Sequence, residues 1–306
     1  MGIQSGGERA AIERIRSVLP GPPAGETWIG DDAAVVPAPP ESLLLTADLV
    51  VAGVHVDLHL VGIDDMGWKA MSANVSDIAA MAGRPLWALV SVAGPVGTDL
   101  DVLYAGVAAA AEHYRCPVVG GDLSSAETLV VSVAIAGTSD GRPPVLRSGA
   151  SAGDALFVTG PLGASAAGLE ALRSGRAGDA PELADAHRRP EARVAEGRAA
   201  SAGGATAMID VSDGLAIDVD RLAAASGVGV ALAAVPTAEG ATADQALGGG
   251  EDYELVFSAA DPDAVAGAFA QAGLRPPHRI GVCTGDRTER SLDGRRLEPT
   301  GWEHDW

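Results

Sequence analysis

Apolar residues in the first half of the chain recur at two spacings, one typical of helices and one typical of strands. From Glu8 to Leu19 they follow helical spacing, and Pro20 ends this pattern. Helical spacing also predicts helices over residues 63–81 and 100–114. Strand-like runs separate these segments, and we predict strands at residues 33–36, 43–56 and 86–93 and on both sides of Gly120-Gly121-Asp122.

The second half follows a segment without apolar periodicity. Residues 139–152 are rich in glycine and proline, which is typical of a linker. We therefore predict an N-terminal domain over residues 1–140 and a C-terminal domain over residues 150–306. In the latter we predict strands at 155–159, up to 209 and at 253–257, helices after 163, up to 201 and after 213, and a polar loop at 175–190. This mixed order of helices and strands favours an α/β (α+β mixed) fold.

Composition narrows the classes of function. A chain of 306 residues is long enough for two domains, and its formal net charge of -20 argues against nucleic acid or an anionic membrane as a partner. The sequence has no apolar run of membrane-spanning length and no N-terminal signal pattern, so we expect a cytosolic protein. Cys116 and Cys283 lack a metal-binding spacing, and we expect two reduced thiols.

Aspartates recur beside small residues, in segments that we expect to form turns. A carboxylate in such a turn faces a cleft, and neighbouring glycines let a ligand approach the backbone. Several carboxylates of this kind suit Mg²⁺, which in turn suits phosphate, so the sequence predicts a Mg-nucleotide enzyme. The segments are Gly30-Asp31-Asp32, Thr46-Ala47-Asp48, Asn74-Val75-Ser76-Asp77, Gly120-Gly121-Asp122, Asp210-Val211-Ser212-Asp213-Gly214 and Gly248-Gly249-Gly250-Glu251-Asp252.

The common phosphate-binding motifs are missing from the sequence. Its only lysine is Lys69, and no glycine-rich turn ends in Gly-Lys-Ser/Thr as a P-loop does. The protein-kinase motifs and a GxGxxG after a strand are also missing. If the protein binds ATP, it does so outside these folds. Lys69 itself is as well explained by a structural ion pair as by catalysis.

In their order along the chain, the acidic segments resemble the motifs of the thiamine-monophosphate kinase family, in the aminoimidazole-ribonucleotide-synthetase-like superfamily. The resemblance also includes Gly53-Val54-His55, Trp68-Lys69-Ala70, Arg147-Ser148-Gly149-Ala150 and Gly249-Gly250-Glu251-Asp252-Tyr253-Glu254-Leu255. It implies a cytosolic enzyme that transfers a phosphoryl group from ATP to thiamine monophosphate, giving thiamine diphosphate. The implied fold has an N-terminal domain that pairs in a homodimer and a C-terminal α/β domain, with the ATP and metal sites between the domains.

The resemblance also implies roles for individual residues. It assigns Mg²⁺ contacts to Asp32, Thr46, Asp48, Asp77, Asp122, Asp210 and Asp213. Nucleotide positions are Tyr104, Gly121, Asp122, Arg147 and Ser212, and thiamine monophosphate positions are His55, Glu251 and Trp302. For Ser212 and Asp213 a plain helix N-cap is an alternative, and it is compatible with phosphate binding. His55 and Trp302 could equally be a strand histidine and a tail aromatic that covers the core.

The chain departs from the family pattern in three places. Ala47 stands where a second threonine is common, Leu123-Ser124-Ser125 replaces Thr-Thr-Arg, and the tail from Gly301 to Trp306 differs. The second change removes an arginine near the phosphates and gives Mg²⁺ and Arg147 more weight. A terminal phosphate oxygen of the acceptor is already ionised, so direct transfer needs no general base.

Other functions stay open at the level of the sequence. Selenophosphate synthetases, hydrogenase-maturation dehydratases and purine-pathway synthetases of the same superfamily also use ATP and acidic segments. The first usually has an N-terminal Cys or selenocysteine and the second a C-terminal Cys, whereas this chain ends in Trp306. Residues 251–255 fit the thiamine family better than the purine enzymes. A Ca²⁺-binding module is a further alternative, but residues 210–214 have the wrong spacing for its loop.

Overall fold

A computed structural model describes residues 8–29 and 33–303. The chain forms two compact units, the first from residues up to Ile78 together with Arg84–Gly141, the second from Ala79–Gly83 together with the residues from Arg142 onward. In the described part of the chain, no helix has both the length and the apolar character needed to cross a membrane.

The described part of the first unit consists of a four-stranded sheet and three helices. In the sheet order β1-β4-β2-β3, β4 pairs antiparallel with both β1 and β2, whereas β3 runs parallel to β2. The elements are α1 (Glu8–Val18), β1 (Leu43–Val51), α2 (Ile63–Ala80), β2 (Arg84–Gly94), α3 (Leu100–His113), β3 (Val118–Ser125) and β4 (Val130–Thr138).

Glycines allow α2 and α3 to pack closely against each other. A Cβ atom on Gly106 of α3 would overlap the main-chain carbonyl of Asp64 in α2, and one on Gly67 of α2 would overlap the carbonyl of Leu103. Small residues on both helices therefore let their backbones come into contact. Almost every side chain of α2 from Met66 onward is buried as a result, and this fixes the position of the acidic residues it carries.

The two faces of the four-stranded sheet differ in their surroundings. Successive residues along a strand point to opposite faces of the sheet. The even-numbered positions of β1 include buried Leu44 and Val50, whereas Leu43, Leu45 and Leu49 are exposed. One face is therefore covered within the unit, and the other presents leucines to solvent.

The described part of the second unit contains a seven-stranded sheet and six helices. The strand order is β11-β10-β7-β9-β5-β8-β6, and only the β10–β7 pair is parallel. The elements are β5 (Ala155–Val158), α4 (Ala164–Arg173), α5 (Pro181–Arg188), α6 (Val194–Ala202), β6 (Ala205–Asp210), α7 (Leu215–Ser226), β7 (Gly229–Leu232), α8 (Ala243–Gly248), β8 (Leu255–Ala259), α9 (Pro262–Gln271), β9 (His278–Thr284), β10 (Arg290–Leu292) and β11 (Arg295–Arg296).

Each face of this second sheet is buried in its own hydrophobic core. Leu156 and Val158 of β5 belong to one core, together with residues of α7 such as Leu222. The alternate residue Phe157 belongs to the other core, where its ring stacks on that of Phe257 at 5.2 Å between centroids. The sheet is thus the middle layer of the unit, as expected for strands that are apolar on both faces.

The predicted α/β class is confirmed, and residues 74–77 lie inside α2, within the helix predicted over residues 63–81. Two other acidic segments do not form the predicted turns. Residues 46–48 lie inside β1 and residues 120–122 inside β3, which runs continuously where two flanking strands were predicted. Their small side chains serve close packing instead: a Cβ atom on Gly121, for example, would overlap the carbonyl of Val90 in β2. Small residues beside aspartate therefore did not distinguish a turn from a tightly packed strand or helix.

Other boundaries also differ from the prediction. The apolar run at 33–36 forms only an isolated bridge between Val35 and Thr27, and the strand predicted to reach residue 56 ends at Val51. Within the polar stretch 175–190, residues Pro181–Arg188 form α5. A proline at the first helical position and basic residues in the last turn favour this short helix, although its sequence is polar.

We expect the Gly106→Ala variant to be less stable than wild type by about 1–3 kcal/mol, because the added methyl group would push α3 away from α2. The matched control is Gly267→Ala in α9, where a Cβ atom would have no neighbour within 4 Å. The control should gain about 0.5–1 kcal/mol from the better helix propensity of alanine. Urea unfolding, monitored by circular dichroism, measures the free energy of unfolding of both variants. An equal increase in stability in the two variants would contradict the close packing of α2 and α3.

Candidate functional site

In the first unit, α2 and β1 bring four predicted or neighbouring site residues together. The Thr46 hydroxyl donates a hydrogen bond to Oδ2 of Asp77. The main-chain N–H of Asp48 donates to Oδ1 of Asn74 at 2.9 Å, and the Asn74 amide donates to the carbonyl of Ala70 at 3.0 Å. Thr46 and Asp48 are two apart on a strand and Asn74 and Asp77 three apart on a helix, so each pair lies on one face of its element. The helix thereby holds its carboxylate next to the strand.

The register of the sheet separates Asp48 from Asp122. Asp48 aligns with Gly121 through Val133 and Val90, whereas Asp122 pairs with the next residue of β2. Three strand spacings, or about 14 Å, lie between the edge strands β1 and β3. The four-stranded sheet alone therefore does not bring these two carboxylates to one ion.

Tyr104 supports the backbone beside Gly121. Its hydroxyl donates to the main-chain carbonyl of Val90 at 3.4 Å, the same carbonyl that a Cβ atom on Gly121 would overlap. The side chain is buried, and this burial raises the pKa of the phenol above its usual range. The structure thus places Tyr104 in the interior of the unit, and its contact with the nucleotide stays a prediction.

His55 lies in the turn that follows β1. Nδ1 of its ring accepts a hydrogen bond from the main-chain N–H of Val51 at 3.0 Å. The main-chain N–H of His55 donates to the carbonyl of Val51 at 2.9 Å. Because Nδ1 is an acceptor here, a neutral ring carries its hydrogen on Nε2. His55 therefore closes the turn through Nδ1.

In the second unit, the start of α7 is held by a residue that the sequence interpretation did not single out. The N-cap is Gly214, and Oδ2 of Asp218 accepts the N–H groups of both Asp213 and Gly214 at 3.1 Å. The alternative that Ser212 or Asp213 caps the helix is therefore wrong. Arg221 Nη1 contacts Asp213 at 2.5 Å and Asp218 at 2.8 Å, so both carboxylates share one cation. Burial raises the pKa of Asp218, and Arg221 opposes this change.

Main-chain hydrogen bonds join the two acidic loops of the second unit. The N–H of Val211 donates to the carbonyl of Glu254 at 2.7 Å, and the N–H of Tyr253 donates back to Val211 at 2.9 Å. Glu251 then donates to the carbonyl of Ser212 at 2.8 Å. These bonds continue the β6–β8 pairing, in which Asp210 lies opposite Leu255.

The C-terminal segment joins the same cluster. The N–H of Trp302 donates to the carbonyl of Asp213 at 2.9 Å, and the Trp302 side chain is exposed. The second unit thus gathers five residues predicted to bind metal, nucleotide or substrate, namely Asp210, Ser212, Asp213, Glu251 and Trp302.

Two further acidic residues of the 249–255 segment accept hydrogen bonds from other residues of the second unit. Asp252 accepts the N–H of Gly163 at 2.6 Å and that of Ser165 at 3.1 Å, at the start of α4. Burial raises the pKa of the Asp252 carboxyl to about 6, although these N–H donors oppose the change. Burial also raises the pKa of Glu254, which accepts a hydrogen bond from Arg193 at 3.0 Å. Both side chains therefore hold the segment in place.

Arg147 is anchored through its main chain. Its carbonyl accepts a hydrogen bond from the hydroxyl of Ser226, the last residue of α7, at 3.1 Å. The preceding residue, Leu146, accepts from the N–H of Met208 in β6 at 2.9 Å. The segment that carries Arg147 therefore lies beside Met208 of β6, which is two residues before Asp210 at the end of that strand. The contact of the Arg147 side chain with phosphate stays a prediction.

The residues present fit a magnesium ion in their chemistry, because Thr46, Asp48 and Asp77 offer the oxygen donors that this ion prefers. Across residues 8–29 and 33–303, however, no three His, Cys, Asp or Glu side chains form a group that could hold a metal. Asp32, the remaining predicted ligand, lies outside the described residues. Each metal contact therefore stays a prediction.

Sequence reasoning missed Asn74, Asp218 and Arg221 as structural partners of site residues. Asn74 was quoted within a motif, but a side-chain amide three residues before Asp77 on one helix face is a signal for a shared contact. Asp218 and Arg221 have the same spacing on α7, which was predicted as a helix. Their pairing with Asp213 depends on how the preceding loop enters the helix, and the residue pattern does not reveal this.

Comparison with known proteins identifies the family of the chain. Residues 30–139 match the family model "AIR synthase related protein, N-terminal domain" and residues 151–293 match the corresponding C-terminal domain. A thiamine-monophosphate kinase from Aquifex aeolicus is 36% identical over 99% of this chain and 100% of the relative.

Two solved structures extend this similarity to the fold. The crystal structure of thiamine-monophosphate kinase from Stenotrophomonas maltophilia is 31% identical, with a TM-score of 0.81 over 95% of this chain and 98% of that chain. AaThiL complexed with AMPPCP and TMP is 33% identical, with a TM-score of 0.75 over 100% of this chain and 99% of that chain. By sequence and by fold, the chain belongs to the thiamine-monophosphate kinase family of AIR synthase related proteins.

Proposed function

We propose that this protein transfers the γ-phosphoryl group of ATP to thiamine monophosphate, giving thiamine diphosphate and ADP. The observation that carries this proposal is the match over 100% of this chain to a relative solved with AMPPCP and TMP, a non-hydrolysable ATP analogue and the acceptor. The similarity includes both units, so the residues of both acidic loops in the second unit have counterparts within the matched length.

The acidic character of the chain gives Mg²⁺ a defined task in this reaction. With a formal charge of -20, carboxylates near ATP would repel its phosphates. Bound Mg²⁺ would neutralise charge between phosphates and carboxylates and position the phosphates for in-line transfer. Several such ions are proposed, and the residues proposed to hold them are Asp32, Thr46, Asp48, Asp77 and Asp122 of the first unit and Asp210 and Asp213 of the second.

The remaining residues bind and orient. Gly121 and Ser212 would contact the nucleotide, with Tyr104 behind the first of them and Arg147 as a cation for its phosphates. His55, Glu251 and Trp302 would contact thiamine monophosphate, whose thiazolium ring is a cation suited to a carboxylate and an aromatic ring. The attacking phosphate oxygen is ionised at neutral pH, so the protein supplies position and charge rather than a general base.

We also propose that two copies pair through the open face of the four-stranded sheet. The two central cross-strand rows of this face, Leu45–Ala136–Trp87 and the row from Ala47 through Ala134 to Leu89, are apolar, and Leu45 is 74% exposed. A second copy offers the same apolar surface and can pair with it around a twofold axis. These central rows contain no charged residue, so two strongly acidic chains could approach there without direct repulsion.

Incubation of the wild-type protein with ATP, Mg²⁺ and thiamine monophosphate should produce thiamine diphosphate, detected by chromatography. The product should disappear when EDTA removes the metal. ATP consumption without diphosphate would reject the acceptor but keep an ATP-using enzyme of the same superfamily. A folded protein that neither binds nor consumes ATP would reject the nucleotide proposal as a whole.

The Asp77→Asn and Asp122→Asn variants should lose at least about a hundredfold in kcat, because each removes a charge proposed to hold Mg²⁺. Asparagine at position 77 can still accept the Thr46 hydrogen bond, so that variant should remain folded. Asp263→Asn, in an exposed first turn of α9, makes the same chemical change away from the site and should keep full activity. Full activity in both site variants would sink the metal-bridge proposal.

The Leu45→Glu variant should be monomeric at concentrations where the wild type is a dimer, because pairing would bury two new charges. Sedimentation velocity measures the oligomeric state of each. Val96→Glu is the control, because Val96 is more exposed than Leu45 but lies in the loop after β2. A wild type that sediments as a monomer would contradict the pairing directly.

A further inference from the structure

His187 is a buried histidine to which the proposed reaction assigns no task. It lies near the end of α5 and is 4% exposed. Its ring Nδ1 is 3.1 Å from the Ser165 hydroxyl of α4 and 3.5 Å from Oε2 of Glu251. An ionised carboxylate can only accept hydrogen bonds, so the contact with Glu251 favours a ring that carries hydrogen on Nδ1. The ring is thus oriented toward a residue proposed to bind the substrate.

Ser165 connects both acidic residues of the neighbouring loop to α4. Its main-chain N–H donates to Asp252 at 3.1 Å, while its hydroxyl contacts His187, which in turn reaches Glu251. Two consecutive acidic side chains are therefore tied to one residue by different routes. This arrangement restrains the loop at Asp252 and the carboxylate of Glu251 separately.

The position of His187 is itself fixed by close packing of α4 and α5. A Cβ atom on Gly168 of α4 would overlap the main-chain carbonyl of Leu183 in α5 and would come within 3.1 Å of the Cβ of His187. The two helices therefore touch through their backbones next to this histidine. A ring held in this way restricts the rotamers of any side chain that contacts it.

The backbone of the loop also indicates that the direction of Glu251 matters. Glu251 and Tyr253 have φ angles of +63° and +51°, a left-handed conformation that is strained for non-glycine residues. Hydrogen bonds to Ser212 and Val211 hold them there. Such strain is characteristic of segments whose conformation serves binding. The Glu251 side chain is 26% exposed, so part of its carboxylate can reach a ligand.

We propose that His187 is a positioning residue that holds Glu251 toward the positively charged ring of the substrate. The proposal rests on the phosphorylation of thiamine monophosphate proposed above. It adds a residue that acts through Glu251 and does not itself contact the substrate. The His187 ring lies beside Oε2 of this carboxylate, whose side chain is still 26% exposed. The electrostatic gain from a fixed carboxylate beside a cationic ring is lost when the carboxylate is free to turn into water.

The test compares His187→Phe and His187→Gln with the wild type. The first removes the N–H donor but keeps an aromatic ring, and the second restores an N–H donor. We expect His187→Phe to raise the KM for thiamine monophosphate about tenfold while kcat and the KM for ATP stay within about twofold, since binding energy alone is lost. His187→Gln should recover most of the affinity. His278→Phe, the same change at an exposed histidine of β9, is the matched control.

A neutral analogue separates positioning from mere structural support. In this analogue a thiophene replaces the thiazolium ring, so it offers no positive charge to Glu251. Its affinity should change less than about twofold in His187→Phe. An equal loss for the neutral and cationic compounds, or a joint change of kcat and both KM values, would overturn the positioning role.

Calorimetric binding of thiamine monophosphate without ATP distinguishes this inference from the proposed reaction. If the wild type binds the compound but forms no diphosphate, the proposed reaction fails, and selective weakening in His187→Phe would still support the role of His187. If the wild type forms diphosphate and His187→Phe binds as tightly, the reaction stands and the role of His187 is rejected. A wild type that neither binds nor converts the compound rejects both.

Discussion

Donors hold the carboxylates of Asp77, Asp213 and Asp252 in place, and the segments that carry the other candidate residues are arranged around these contacts. Carboxylates gathered in a chain of formal charge -20 repel one another unless each has a donor or a cation beside it. In the first unit the donor to Asp77 is the neutral hydroxyl of Thr46. In the second unit Arg221 forms an ion pair with Asp213, and main-chain N–H groups donate hydrogen bonds to Asp252. The proposed Mg²⁺ would add positive charge to sites whose geometry the protein has already set.

The two units hold their candidate residues by different means. In the first, close packing of α2 and α3 through Gly67 and Gly106 fixes the helix that carries Asp77. In the second, the β6–β8 pairing continues beyond the sheet as hydrogen bonds between residues 211–212 and 251–254. The same cluster receives Trp302 through the carbonyl of Asp213. Candidate residues far apart in sequence are thus held by backbone bonds, which tolerate changes of side chain.

The accuracy of the sequence interpretation varied with the length and polarity of each segment. Long periodic segments such as those forming α2 and α3 were predicted within a residue or two, because many positions repeat the same signal. The polar α5 was missed, and residues 46–48 and 120–122 were interpreted as turns although they lie within strands. Small residues beside aspartate suit a turn and a closely packed strand equally well. Only the neighbouring chain, such as Val90 beside Gly121, distinguishes the two.

The sequence by itself determined the α/β class and the family, because both depend on local periodicity and on motifs kept in order along the chain. It also determined which carboxylates are candidates for the site. The tertiary structure decided which side chains hold these segments, since Asn74, Asp218 and His187 reach their partners only after helices and loops have packed. A residue type shows what a side chain can bind. Its actual partner depends on distances between segments that are remote in the chain, and residue order does not encode these distances locally.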